Sequence, residues 1–167
     1  RIIYCQTAPQ TGAFAANLAR LSRLASAFEA KDAVFTAPAG ALEGGTGHDA
    51  LAWEDVSTRR DKALCAFAEE TKKDGRRWVL PILREGAFDW VEISGGEARS
   101  FTPPSDWPAL RTTSVLPWSP DVRPAQGTAL EGSIAGAEDR IVFAGGGRFA
   151  EKGRVLAELP PWEEGVL

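Results

Sequence analysis

The order of apolar segments at the start of the chain restricts the folds open to it. Residues 1–5 and 33–36 are short, mainly apolar runs of the kind that form strands. Between them, apolar residues recur every three or four positions, at Phe14, Leu18, Leu21, Ala25 and Phe28. This spacing predicts a helix with one apolar face. A strand–helix–strand order favours parallel pairing of the strands with the helix packed on one side, so we expect an α/β fold.

The next segment predicts a second helix followed by a run of strands. Ser57 or Thr58 is a suitable cap for a helix ending at Lys73, where Lys72 and Lys73 match the negative end of the helix dipole. Gly75 is placed to end the helix. Strands are predicted over 77–83, 88–93 and 97–101, with a hairpin turn at 94–96.

Proline marks a change of character between residues 102 and 127. Six prolines fall in this stretch, and proline cannot donate to a strand ladder. We therefore predict irregular backbone there, fixed by Trp107 and Trp118. Short strands are predicted again at 128–134, 140–143 and 154–158, and the ordered part is expected to end at 160–162. The 167 residues suit a single domain, 1–167.

Composition and charge narrow the classes of function. A net charge of -4 argues against nucleic acid as a partner, because phosphate binding needs a basic face. No apolar run is long enough to cross a membrane, and no signal-peptide pattern is present. Cys5 and Cys65 are interpreted as reduced, buried thiols of a cytoplasmic protein. His48 is the single histidine, which excludes a multi-histidine metal site, and we expect no cofactor.

Three blocks of sequence carry a resemblance to a known family. The first is IIYCQ at 2–6, followed by Gly12 and Asn17. The second is PAGALEG at 38–44, with Asp49 and Leu51 beyond it. The third is GAEDRIVFAGGG at 136–147, followed by GRVLAE at 153–158. Together, over about 1–101 and 128–164, they resemble the nitrilase (carbon–nitrogen hydrolase) superfamily, and more narrowly the glutaminase domain of glutamine-dependent NAD synthetase.

The resemblance implies a fold and a chemistry. The implied fold is a shortened α-β-β-α layered sandwich with a mixed sheet. The family's chemistry uses a Cys nucleophile, a Glu base and a Lys that stabilises the oxyanion. The Glu would follow the proline of the second block, where this chain has Ala39. The Lys would follow the strand after the 94–96 turn, but 99–104 contains none, and 102–127 replaces the part that would carry the Cys.

Two residues near Ala39 are candidates for a rearranged site. Glu43 is either a displaced base or, as we favour, an exposed loop carboxylate. His48 and Asp49 form either a base with its orienting partner or a loop histidine beside a helix cap, and we favour the second interpretation. The glycine-rich segments 44–47 and 145–147 match no phosphate-binding motif, so we interpret them as turns.

The leading hypothesis is a pseudoenzyme: a catalytically degenerate domain with a structural or regulatory role, related to NAD synthetase. One alternative is an amidase or glutaminase with a rearranged site using Glu43 and His48. Another is a module that binds a small ligand. Because the implied loss of central strands would leave a sheet edge and an apolar face uncovered, we expect a homodimer or a partner protein.

Overall fold

The computed structural model describes residues 1–28, 32–44, 54–84, 87–112, 126–138 and 141–167. The helices are α1 (Phe14–Ala25) and α2 (Glu54–Asp74). The strands are β1 (Ile2–Gln6), β2 (Val34–Thr36), β3 (Arg77–Arg84), β4 (Ala87–Ser94), β5 (Glu97–Ser100), β6 (Ala109–Thr112), β7 (Ala129–Gly132), β8 (Ala135–Glu138), β9 (Ile141–Ala144), β10 (Arg148–Glu151), β11 (Arg154–Glu158) and β12 (Gly165–Val166).

The strands form two larger sheets and a hairpin. The six-stranded sheet has the order β12-β1-β2-β3-β4-β5, and β1, β2 and β3 run parallel while the other pairs are antiparallel. The four-stranded sheet has the order β11-β10-β7-β6, and β8 pairs with β9. The mixed sheet and the parallel β1–β2 pair confirm the α/β expectation that the first 36 residues gave.

Both helices contribute to the apolar core on one face of the six-stranded sheet. Leu18 and Leu21 of α1 and Phe67 of α2 belong to the same cluster as Phe35 and Trp78 from the central strands. The Trp78 ring lies 5.1 Å from that of Phe35 and 5.5 Å from that of Phe67. Within the described ranges, no helix is both long and apolar enough to cross a lipid bilayer.

The four-stranded sheet packs on the opposite face of the six-stranded sheet. Tyr4 points toward it, and a Cβ at Gly132 or Gly147 would lie within 1.9 Å or 2.3 Å of the phenol. The hydroxyl of Tyr4 is buried with no hydrogen-bond partner in the described structure, and burial raises the pKa of Tyr4. Leu130 and Phe149 line an apolar cavity of about 360 Å³ between the sheets. The described residues thus form a helix layer and two sheet layers.

Helix α2 begins three residues before the predicted start. Glu54 and Asp55 occupy its first turn, where their charges favour the positive end of the helix dipole. The prediction that Ser57 or Thr58 caps this helix was therefore wrong, and the Ser57 hydroxyl instead donates to the Glu54 carbonyl. Gly75 follows the helix at φ +69, which confirms its predicted role in ending it.

Two expectations about irregular segments were also wrong. Residues 109–112 form β6, because Pro108 precedes the strand instead of interrupting it and β6 lies at a sheet edge, where proline is tolerated. Of the two tryptophans predicted to fix this segment, Trp107 packs on Phe101, and Trp118 lies outside the described residues. Order also continues past residue 162, since β12 pairs with Cys5 and Gln6 of β1.

Candidate functional site

The turn after β2 carries the residue that the resemblance aligns with the family's base. Residues 39–44 are all buried, and Gly40 and Gly44 adopt φ of +82 and +83. A Cβ at Gly44 would lie 2.3 Å from the backbone of Gln10, so the turn requires glycine there for both space and conformation. The turn is therefore a compact element packed against the start of α1.

Ala39 is 1% exposed in this turn. Its methyl group can neither accept a proton nor polarise a water molecule. Ala39 lines neither the cavity between the two sheets nor the groove between the two helices. Where the resemblance would place a general base beside a substrate pocket, the described structure has a packed methyl group.

Glu43 is buried, so the interpretation of it as an exposed loop carboxylate was wrong. It is 1% exposed, and its Oε1 accepts a 2.8 Å hydrogen bond from the Leu83 amide. Its Oε2 has no partner among the described residues. Burial raises the pKa of Glu43 to about 7, against the opposing effects of backbone hydrogen bonds and of the Arg60 charge. A carboxyl group with this pKa exchanges a proton near neutral pH.

Arg60 completes the contact between the turn, α2 and β3. Its Nη1 donates to the Leu83 carbonyl at 2.7 Å, and its Nε donates to Asp61 at 3.1 Å. Glu43 and Arg60 thus bind the amide and the carbonyl of the same residue at the end of β3. Arg60 is only 8% exposed, whereas the neighbouring Arg59 is exposed.

The two cysteines differ in burial. Cys5 is fully buried in β1, and burial raises its thiol pKa to about 12, with Arg76 only partly opposing the shift. A thiol with such a pKa is almost entirely protonated at neutral pH and is a poor nucleophile. Cys65 is exposed on α2, so the prediction that both thiols are buried was wrong for Cys65. It lies on the helix face opposite to Leu64 and Phe67, which pack in the core.

An arginine–carboxylate cluster occupies the region where the family's Lys would be expected. Glu92 is 5% exposed and accepts hydrogen bonds from Arg77 at 2.8 Å and from Arg99 at 3.2 Å. Burial alone would raise the pKa of Glu92, but these two arginines lower it below its usual value. The Arg77 guanidinium also lies 5.6 Å from the centre of the Phe101 ring. Each group already has a partner, and we interpret the cluster as structural.

Asn17 and Gln6 were not among the predicted site residues, yet their side chains bind backbone groups of neighbouring loops. The side-chain oxygen of Asn17 accepts from the Gln10 amide, and its nitrogen donates to the carbonyls of Gln10 and Leu42. Gln6 accepts from Gly146 and Gly147 at 2.7 Å. Both belong to the first resemblance block, which was the signal available in the sequence.

The remaining candidates lie outside the described residues. His48 and Asp49 are in 45–53, so the pairing suggested for them stays a prediction. Among the described residues, no group of three or more His, Cys, Asp or Glu side chains is arranged to hold a metal ion.

Solved structures resemble this chain over nearly its whole length. A glutamine-dependent NAD⁺ synthetase from Acinetobacter baumannii superposes with a TM-score of 0.71 at 12% identity, covering 99% of this chain and 44% of that one. A mutant amidase from Nesterenkonia sp. AN1, whose active-site cysteine carries the acetamide moiety of fluoroacetamide, gives 0.72 at 14%, covering 99% and 87%. A further mutant of that amidase, which is from the nitrilase superfamily, gives 0.69 at 15% with the same coverage. The fold is nitrilase-like.

This nitrilase-like chain spans less than half the length of the NAD⁺ synthetase. No protein-family model and no curated protein sequence matches it. The likeness thus confirms the fold expected from the three sequence blocks.

Proposed function

We propose that this chain is a nitrilase-like domain without amidase chemistry, acting in a structural or regulatory role beside an enzyme such as an NAD synthetase. The observation that carries the proposal is Ala39, a buried methyl group at the position where the sequence resemblance would place the family's general base. The two cysteines support it, since one thiol is buried and protonated and the other lies on the outer face of a helix.

The size of the expected loss follows from the groups that are replaced. Removing a general base typically costs about 10²–10⁴ in rate, and removing an oxyanion donor costs about 10²–10³. These effects are not additive, but the loss of the nucleophile alone removes the covalent route. We therefore expect no amide hydrolysis above the uncatalysed rate.

The test is ammonia release from glutamine, asparagine and acetamide by the purified chain, with heat-killed protein as the blank. The proposal predicts release equal to the blank for the wild type and for Cys5→Ala and Cys65→Ala. Release by the wild type that disappears in either cysteine variant would refute it. Iodoacetamide labelling is an independent check, because only Cys65 is expected to react in the folded protein.

A rearranged amidase is the second candidate, and the buried Glu43 favours it. Its pKa of about 7 and its unpartnered oxygen suit a group that accepts a proton from water or from a hydroxyl. In this candidate, Glu43→Gln and His48→Ala would each abolish ammonia release without lowering the melting temperature by more than a few degrees. Release that survives both variants would exclude this site.

A further inference from the structure

Trp162 combines exposure with a strained backbone. Its side chain is 60% exposed, the larger of the two exposed large apolar residues in the described structure, and its φ is +68. A bulky residue in the left-handed region is uncommon and persists only where its surroundings fix it. Strain of this kind is concentrated at functional positions, and tryptophan is enriched at the centres of protein interfaces.

The residues around Trp162 are held on both sides. The Gln6 side-chain amide donates to the carbonyls of Pro160 at 3.2 Å and of Glu163 at 2.7 Å. Glu164 accepts from the Ala8 amide at 3.0 Å and forms an ion pair with Arg20 at 3.4 Å. These contacts fix the segment while the indole projects outward. The structure therefore presents Trp162 as a pre-ordered anchor.

A groove of about 440 Å³ lies between the first turn of α1 and the middle of α2. Ala16, Ala63 and Ala66 line it with methyl groups. Arg59 and Lys62 are the charged residues among its described lining, and both are exposed. The groove is thus apolar within and basic at its rim, which suits an aromatic side chain followed by a carboxylate.

The segment at Trp162 has this complementary chemistry. Glu163 follows the indole directly and is exposed, whereas Glu164 already pairs with Arg20 and Arg23. Opposite charges at the rim of an apolar contact favour association and fix its register. Trp162 with Glu163 therefore matches the groove in apolar character, and the Arg59 and Lys62 rim in charge.

We propose that a second copy of this chain fills the groove, with Trp162 of each copy inserted between α1 and α2 of the other. Both features border α1, since Arg20 contacts Glu164 and Ala16 lines the groove. A two-fold axis beside α1 makes the exchange reciprocal, so the assembly closes as a dimer. This dimer would be one way in which the chain fills its proposed structural role, and the inference rests on the proposed function to that extent.

The first test is sedimentation equilibrium of the wild type, of Trp162→Gly and of Leu156→Ala. Leu156 is the control, since it is also exposed, at 50%, but lies on β11. We expect a wild-type dimer, and a rise of at least about 30-fold in the dimer Kd for Trp162→Gly, as for an interface hot spot. Glycine removes the anchor and also relieves the left-handed strain, so the folded monomer should not melt earlier.

A charge exchange tests the assigned groove. Lys62→Glu and Glu163→Lys should each weaken the dimer, and the double variant should regain affinity relative to either single variant. A monomeric wild type at high micromolar concentration, or a dimer unaffected by Trp162→Gly, would overturn the proposal. Single variants that weaken the dimer without rescue in the double variant would overturn the assigned groove. Ammonia release by the same samples would refute the non-catalytic role without affecting this result.

Discussion

Replacement of Gln6 is the sharpest test of how this fold is held together. Its amide is fully buried and makes four hydrogen bonds, accepting from Gly146 and Gly147 and donating to the carbonyls of Pro160 and Glu163. One side chain at the end of β1 therefore joins two segments more than 130 residues away in sequence. In Gln6→Ala, all four backbone groups lose this partner.

The cost can be estimated from the burial of those groups. The amides of Gly146 and Gly147 are bonded in a buried setting, whereas the two carbonyls are partly buried and can turn to water. A buried donor left unsatisfied costs about 1–3 kcal/mol, so two amides together cost about 2–6 kcal/mol, with a central value of about 4 kcal/mol. For a chain of this length, that free energy lowers the melting temperature by roughly 10 °C.

Thermal and urea unfolding followed by circular dichroism measure the effect. Gln10→Ala is the control, because Gln10 is exposed. Gln6→Glu should destabilise the fold at neutral pH at least as much as Gln6→Ala, since a buried carboxylate would face the two carbonyl oxygens without a proton to donate. A Gln6→Ala variant with the same stability as Gln10→Ala would refute the reasoning, because the four hydrogen bonds of the buried Gln6 side chain would then contribute nothing to stability.

Two further predictions concern buried groups with an unpartnered oxygen. The pKa of Glu43 is about 7 in the folded chain and 4.5 in the unfolded chain. Protonation of Glu43 therefore stabilises the fold. This contribution is fully present below pH 4.5 and is lost as pH rises toward 7. Glu43→Gln should remove this pH dependence and raise the free energy of unfolding at pH 8 by up to about 3 kcal/mol. Urea titrations that give the same difference in stability between the variant and the wild type at pH 5 and at pH 8 would contradict this prediction. Tyr4→Phe deletes a buried hydroxyl without a partner and should leave stability unchanged or raise it by about 1 kcal/mol, whereas a large loss in thermal melts would reveal a hydrogen bond to this hydroxyl.

The fold was predictable from sequence where spacing alone decides it. The α1 face, the β3–β4–β5 meander and the glycine turns follow from periodicity and turn chemistry, and each lies within a few residues of its predicted position. The start of α2 was not predictable, because the charges of Glu54 and Asp55 favour a helix start without forming as distinct a sequence signal as a capping Ser or Thr.

The candidate site was predictable only in part. Ala39 was located from the resemblance, since a motif fixes a position in sequence. The burial of Glu43 was not, because nothing local distinguishes a loop carboxylate in solvent from one that reaches the Leu83 amide 40 residues away. Burial of this kind depends on which distant strand ends beside the loop, and the exposure of Cys65 likewise depends on which face of α2 meets the sheet.

The pairing of β12 with β1 has a consequence for the order of folding. β1 is the first strand of the chain, yet its outer neighbour comprises residues 165–166, and Tyr4 exchanges two backbone hydrogen bonds with Leu167. Contacts this distant in sequence form slowly, because the chain loses loop entropy before they stabilise it. During synthesis, residues 2–6 can pair with β2 early, but their other side is completed only after residues 165–167 have been made. Until then the sheet has an open edge at β1, and a nascent chain is most exposed to mispairing there.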